Sequence, residues 1–293
     1  MTFKPSIVII PRSAEEAHER LESLGERAVI IAGGTMLFRL RGSGLLDYVE
    51  ALVDLSGLGL SYVREDGGRA LIGSYTPLSA VHNWISSSSA RVRALGALDD
   101  AIMSMPGWQI RNMATIGGSV SISMPQSDIA TALLALGARA EVAGPSGGRS
   151  LDLGEYMAAP LSPSKGPGEF LREIVLGSLE GGSAHEKFVV SDIDHPIMSA
   201  SARVRLADDG SIAYARLAMG GGLRRSLVLD SPNFLVGRVP ERGVLEELYS
   251  AVRDSVDPLD DHVATAEYRR HLAGLMAKRS LLRAYSRAGG SAR

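Results

Sequence analysis

The sequence predicts an α+β chain in two parts: a two-lobed N-terminal domain over residues 1–180, with lobes 1–58 and 59–180, and a smaller α+β domain over 184–293. Three observations predict it. Short apolar runs end in glycine, as where Ala28-Val29-Ile30-Ile31 meets Gly33-Gly34, which is how buried strands run into turns. After Gly181-Gly182-Ser183, several strand-like stretches are followed by two helical ones, so the two kinds of element are segregated rather than alternating. At 293 residues the chain is long enough for two cores.

Ser13-Ala14-Glu15-Glu16 is a capping box, and the helix it opens carries Ala17, Leu21 and Leu24 on one face and stops at Gly25. Residues 28–31 form a short buried strand and 48–55 another, giving a βαβ-like first lobe that ends near Gly57. A hairpin of 61–64 and 69–73 turns at Asp66-Gly67-Gly68. Thr76-Pro77 reads as an N-cap with proline at the first helical position, opening a helix to about Trp84. Residues 93–105 read as one helix stopped by Pro106-Gly107. The alternation of 119–123 reads as a strand, and Asp128 then caps a helix to Gly137. Strands at 139–142 and 150–153 flank Gly144-Pro145-Ser146-Gly147-Gly148, and the proline- and glycine-rich 161–168 reads as a lid or linker. In the C-terminal domain, strands are expected at 186–190, 199–206 and 212–219, with Asp208-Asp209-Gly210 as a hairpin turn. Helices follow at 241–255 and 261–288, the second with a core stripe of Ala264, Leu272, Leu275, Met276, Leu281 and Leu282.

A net charge of −2 with no basic run beyond Arg224-Arg225 argues against nucleic acid and anionic membranes as partners. No apolar stretch approaches the roughly 20 residues of a membrane span. The opening, Met1-Thr2-Phe3-Lys4-Pro5-Ser6-Ile7-Val8-Ile9-Ile10, holds too short an apolar run for a signal-peptide core, so a cytoplasmic location is expected. Cysteine is absent, which excludes disulfides, thiol catalysis and iron–sulfur ligation by this chain. Redox chemistry here requires an organic cofactor, or a metal held by histidine and carboxylates. The six histidines lack His-x-His or His-Glu-x-x-His spacing and read as surface or helix-face residues, so no metal ligand and no catalytic residue is assigned.

Two glycine turns carry the chemistry. Ala32-Gly33-Gly34-Thr35 follows the Ile31 strand, and Thr115-Ile116-Gly117-Gly118-Ser119 follows Gln109-Ile110-Arg111-Asn112. Paired glycines let successive amides converge on an anion while a hydroxyl adds a donor, so two such turns suit a diphosphate. Each is equally the sequence of a plain tight turn. The dinucleotide fingerprint Gly-x-Gly-x-x-Gly is missing after Ile31, which disfavours a nicotinamide fold. Gly144-Pro145-Ser146-Gly147-Gly148 matches a hydrolase elbow only formally, because a hairpin return follows it rather than a helix. Asp99 and Asp100, adjacent on a helix, point about 100° apart and read as a solvated face.

In order along the chain, Ile31-Ala32-Gly33-Gly34-Thr35, Leu71-Ile72-Gly73-Ser74-Tyr75-Thr76-Pro77-Leu78, Gln109 to Gly118, and Pro125-Gln126-Ser127-Asp128 ahead of Ala132-Leu133-Leu134 resemble the FAD-binding medium subunit of the molybdenum hydroxylases. The resemblance to this group, which includes xanthine and carbon monoxide dehydrogenases, covers nearly the whole chain and is most specific from Gln109 to Asp128. It implies a two-lobed FAD-binding domain of the vanillyl-alcohol-oxidase/PCMH type followed by the C-terminal domain that such medium subunits carry. It also implies that Ile31, Ala32, Gly33, Gly34, Thr35 and Met36 with Thr115, Ile116, Gly117, Gly118 and Ser119 bind the FAD diphosphate. Asp128 then meets the adenosine ribose, a helix cap being the other reading of that residue. Leu171 lies against the isoalloxazine, Lys187 matches a lysine seven residues before Asp194-His195-Pro196, and Met105 stands where xanthine dehydrogenases place an aromatic residue. Met36 replaces a frequent acidic residue and Ser119 a frequent Asn or Asp.

The resemblance further implies an electron-transfer subunit, passing electrons from iron–sulfur clusters on a partner through FAD to an acceptor. A small subunit with [2Fe–2S] clusters and a large molybdopterin subunit are the implied partners, in a heterotrimer or a dimer of heterotrimers. The absence of cysteine fits that division of labour, since the clusters must sit on another chain. A stand-alone FAD-dependent oxidoreductase, or a nucleotide-binding protein with no redox role, are the alternatives.

Overall fold

A computed structural model of the chain describes residues 4–191 and 195–291. In chain order its first half holds β1 (Ile7–Ile9), α1 (Ala14–Leu24), β2 (Ala28–Ile31), α2 (Thr35–Leu40), β3 (Ala51–Asp54), β4 (Val63–Asp66), β5 (Arg69–Gly73), α3 (Leu78–Ser86), α4 (Ser89–Ala94), α5 (Gly96–Met103), α6 (Trp108–Met113), α7 (Ile116–Ser121) and α8 (Asp128–Ala135). Then come β6 (Arg139–Gly144), β7 (Gly147–Asp152), α9 (Leu153–Tyr156), β8 (Phe170–Leu176), β9 (Gly182–Phe188), β10 (Met198–Leu206), β11 (Ile212–Gly221), β12 (Leu227–Asp230), α10 (Arg242–Ser255) and α11 (Ala266–Arg287). By packing, the chain forms two units interleaved in sequence. One takes in the chain up to Val81, Gly107–Ile122 and Arg139–Val175; the other takes in His82–Pro106, Ser123–Ala138 and the chain from Leu176 on.

The first unit contains a parallel sheet in the order β1-β3-β2 and a five-stranded sheet in the order β4-β5-β8-β6-β7. Ala17 and Leu21 of α1, Val53, Leu55, Leu60 and Phe170 are buried together. Ser13 caps α1 by accepting from the Glu16 amide at 3.2 Å, and Gly25, at φ +55°, ends it. The Asp66-Gly67-Gly68 hairpin forms as expected between β4 and β5. Three expectations change. The predicted strand at 119–123 is the end of helix α7: Thr115 caps it, and Ile116 and Val120, one turn apart, are both buried. Alternation over five residues fits either period. Thr76 caps nothing, because its hydroxyl donates to the Tyr62 carbonyl at 2.8 Å and accepts from the Tyr62 amide at 3.0 Å. The 161–168 segment is tied down rather than lid-like. Leu161 donates its amide to Ile122 O, Ser164 donates to Tyr156 O, and Gly168 O lies 2.7 Å from His18 Nδ1.

The second unit is built on an antiparallel sheet in the order β12-β11-β10-β9. One face, with Ala200, Ala202, Val204, Leu217 and Met219, packs against Leu272, Met276 and Leu281 of α11 and Val244, Leu248 and Val252 of α10. Each fully buried Val, Leu or Met among them contributes about 1.5–3 kcal/mol. The other face is polar: Ser183, His185 and Lys187 alternate along β9, and Ser199, Ser201 and Arg203 along β10, with α5 and α8 packed on the sheet. Sequence had α5 continuous with α4; the helix breaks at Leu95, at ψ 16°. Helix α11 starts at Ala266 rather than 261, capped by Thr265, because Asp261 instead makes a bidentate pair with Arg269. The cap of α8 is Ser127, whose hydroxyl accepts from the Ala130 amide; Asp128 is the first helical residue. Strands β1, β8 and β12 and helices α2, α6 and α9 had no sequence reading. No helix among the described residues is long and apolar enough to cross a membrane.

Candidate cofactor site

The first unit brings the two glycine turns together. Strand β2 ends at Ile31, and the chain passes through Ala32 and Gly33 to Gly34, whose φ of +67° only glycine adopts without strain, and so into α2. A Cβ on Gly33 would lie 1.7 Å from the Met113 carbonyl oxygen, so Gly33 has to be glycine for the segment before Thr115 to lie against it. Gly117 is packed as closely on Ser74, where a Cβ would meet Ser74 O at 2.5 Å. Ser74 in turn donates its amide to Arg172 O, next to the buried Leu171 of β8. The predicted diphosphate residues and Leu171 thus form one chain of backbone contacts.

The two turns differ in what their amides do. In the second, Ile116 N donates to Thr76 O, Gly117 N to Ser74 O, Gly118 N to Thr115 Oγ1 and Ser119 N to Thr115 O, all between 2.9 and 3.1 Å. In the first, no described residue accepts from the amides of Gly33, Gly34, Thr35 or Met36. The bare donors expected of both turns therefore belong to the first, at the carboxyl end of a parallel strand, where anionic ligands bind in such sheets.

The second unit gathers Met105, Asp128 and Lys187. The Lys187 ammonium donates to Asp128 Oδ2 at 3.2 Å and to Ser104 O, beside Met105, at 3.0 Å. His185, two residues earlier on the same face of β9, presents Nε2 to Asp128 Oδ1 at 3.3 Å, off the in-line geometry of a full hydrogen bond. Burial pushes the Asp128 carboxyl up, but the neighbouring His185 and Lys187 outweigh it and hold it below the usual carboxylate range. His185 is 1% exposed, which corrects its reading as a surface or helix-face histidine; the alternation of 183, 185 and 187 along a strand was the available signal. Asp100 is not on a solvated face either. It accepts from Arg283, Arg287 and the His185 amide, while Asp99 pairs with His82 at 2.7 Å. Asp194, which closes the spacing from Lys187, lies outside the described residues, as do Met1-Thr2-Phe3 of the opening segment.

Residues 1–177 match the family described as the FAD binding domain in molybdopterin dehydrogenase. This chain belongs to that family. Residues 183–284 match the CO dehydrogenase flavoprotein C-terminal domain, so this member carries both domains of an FAD-binding medium chain. It is 29% identical to the carbon monoxide dehydrogenase medium chain of Afipia carboxidovorans, covering 95% of this chain and 96% of that one. It is 30% identical to the xanthine dehydrogenase FAD-binding subunit of Escherichia coli O157:H7, over 90% and 91%. Among solved structures, a chain of reconstituted CO dehydrogenase from Oligotropha carboxidovorans superposes with a TM-score of 0.89 at 27% identity, over 98% of this chain and 100% of that chain. The protein is an FAD-binding medium subunit of a multi-subunit molybdenum hydroxylase, with the mixed helix and sheet fold of that group.

Proposed function

We propose that the chain holds FAD by wrapping its diphosphate in the amides of Gly33, Gly34, Thr35 and Met36, with 115–119 as the backing of that turn, Asp128, paired with Lys187, accepting from the ribose, and Leu171 and Met105 shaping the flavin end. The observation that carries this reading is the row of four amides without a partner among the described residues, on a turn fixed in place by Gly33. Converging amides are the donor set that a diphosphate needs, and a buried, ionised carboxylate is a natural acceptor for ribose hydroxyls. Bound there, FAD supplies exchange between electron carriers; the chain's own residues bind and orient it. Electrons reach it from [2Fe–2S] clusters on a small partner subunit, which receives them from a large molybdopterin subunit, in a heterotrimer or a dimer of heterotrimers. A chain without cysteine holds no such cluster itself.

The test is a flavin titration of the purified chain. FAD is expected to bind well ahead of FMN, because a second phosphate and the adenosine ribose are what the turn and Asp128 recognise. Equal affinity for the two would refute the assignment.

A further inference from the structure

We infer that His185 is a positioning residue for FAD: with Lys187 it holds the Asp128 carboxylate from the sheet side and fixes the direction in which its remaining lone pairs point. The inference rests on the reading of Asp128 as an FAD ligand.

Both oxygens of the Asp128 carboxylate face the same strand: Oδ1 lies 3.3 Å from His185 Nε2, short of hydrogen-bond geometry, and Oδ2 accepts from Lys187 at 3.2 Å. A carboxylate offers about two lone-pair sites per oxygen, and with Oδ1 closed off from solvent it is Oδ2, only one of whose sites Lys187 uses, that is left for a ribose hydroxyl. The side chain is 9% exposed, a narrow edge rather than a free group. A carboxylate buried to that extent stays ionised only if opposite charge or donors surround it.

His185 is itself held from three directions. Its Nδ1 lies 2.8 Å from Ser201 Oγ on β10, its amide donates to Asp100 Oδ2 on α5, and its carbonyl accepts from Arg283 on α11. The helix carrying Asp128 is fixed at its other end as well, where Arg216 Nε donates to Leu134 O and an Arg203 nitrogen to Leu136 O. Neither ring nor helix is free to slide, so the imidazole sets the carboxylate's orientation. A histidine that only filled space would not need its Nδ1 fixed by Ser201 and its Nε2 turned toward a carboxylate.

The experiment is a double-mutant cycle on the full chain, reading the FAD dissociation constant by flavin fluorescence and the melting temperature of the FAD-free protein. His185→Leu is expected to weaken FAD about tenfold, because it removes the polar group that faces the buried Oδ1, with His185→Gln, which keeps a donor, close to wild type. In an Asp128→Asn background His185→Leu should add no more than about twofold, the scatter of independent sites. An equal loss in both backgrounds would mean general destabilisation and would overturn the inference, as would wild-type affinity for His185→Leu. If Asp128→Asn alone binds FAD normally, the reading of Asp128 falls and the inference with it. Should His185→Leu fail to fold, Ser201→Ala releases the ring and enters the same cycle; no Asp128-dependent loss there overturns the inference.

Discussion

Gly33 is the residue on which the first turn depends. Its missing Cβ leaves room for the Met113 carbonyl, a contact that no side-chain adjustment rescues because both partners are backbone. Gly33→Ala is therefore expected to give a colourless, less stable chain, checked by flavin content and thermal melting; a stable yellow protein would mean the turn can open without cost. Asp128 makes a second expectation at this scale. Its folded-state pKa is depressed, so its contribution to stability is complete above the unfolded value, about 3.9, and is lost as pH falls through the lower folded value. An acid titration of the FAD-free chain followed by circular dichroism should show wild type losing more stability below about pH 4 than Asp128→Asn does. Identical acid limbs would show that the pair with His185 and Lys187 adds nothing.

Helix α8 illustrates how a short element is placed. Ser127 caps its start, Gly137 at φ +70° closes its end, and Arg203 and Arg216 occupy its last carbonyls, where positive charge suits the helix dipole. Ser127→Ala is expected to lower the unfolding free energy by about 1 kcal/mol, measured in urea. No change would transfer the capping role to Asp128. Elements of this kind also show what was legible in the sequence. The Ser13 cap, the Asp66-Gly67-Gly68 hairpin and the pairing of β10 with β11 were readable because local spacing alone dictates them. Helix α7 was not, since 119–123 is too short for its period to be decided. The chemistry was half legible: glycine pairs marked both turns, yet whether an amide is bare depends on Ser74 and Thr76, some forty residues upstream, which no local pattern reveals. For His185 the strand alternation was readable, but its partners were hidden for the same reason, lying on α5, α8 and β10.

Across the whole molecule, the polar face of the β9–β12 sheet is covered by α5 and α8, which come from earlier in the chain. A fragment of residues 184–293, although it nearly coincides with the C-terminal family match, would leave His185 without Asp100 of α5 and Arg203 without the Leu136 carbonyl that follows α8. Such a fragment is expected to lack cooperative unfolding by calorimetry, and a sharp transition would show that the sheet and its two C-terminal helices suffice. The same layout has a consequence during synthesis. When the ribosome has made Ala138, the helices already translated have no sheet to cover, and β11 is not complete until Gly221. At about 5–20 residues per second the intervening 83 residues (221 − 138) take roughly 4 to 17 s. For that interval α5 and α8 lack the sheet on which they pack in the finished chain, and nascent-chain chaperones have a defined window in which to shield them.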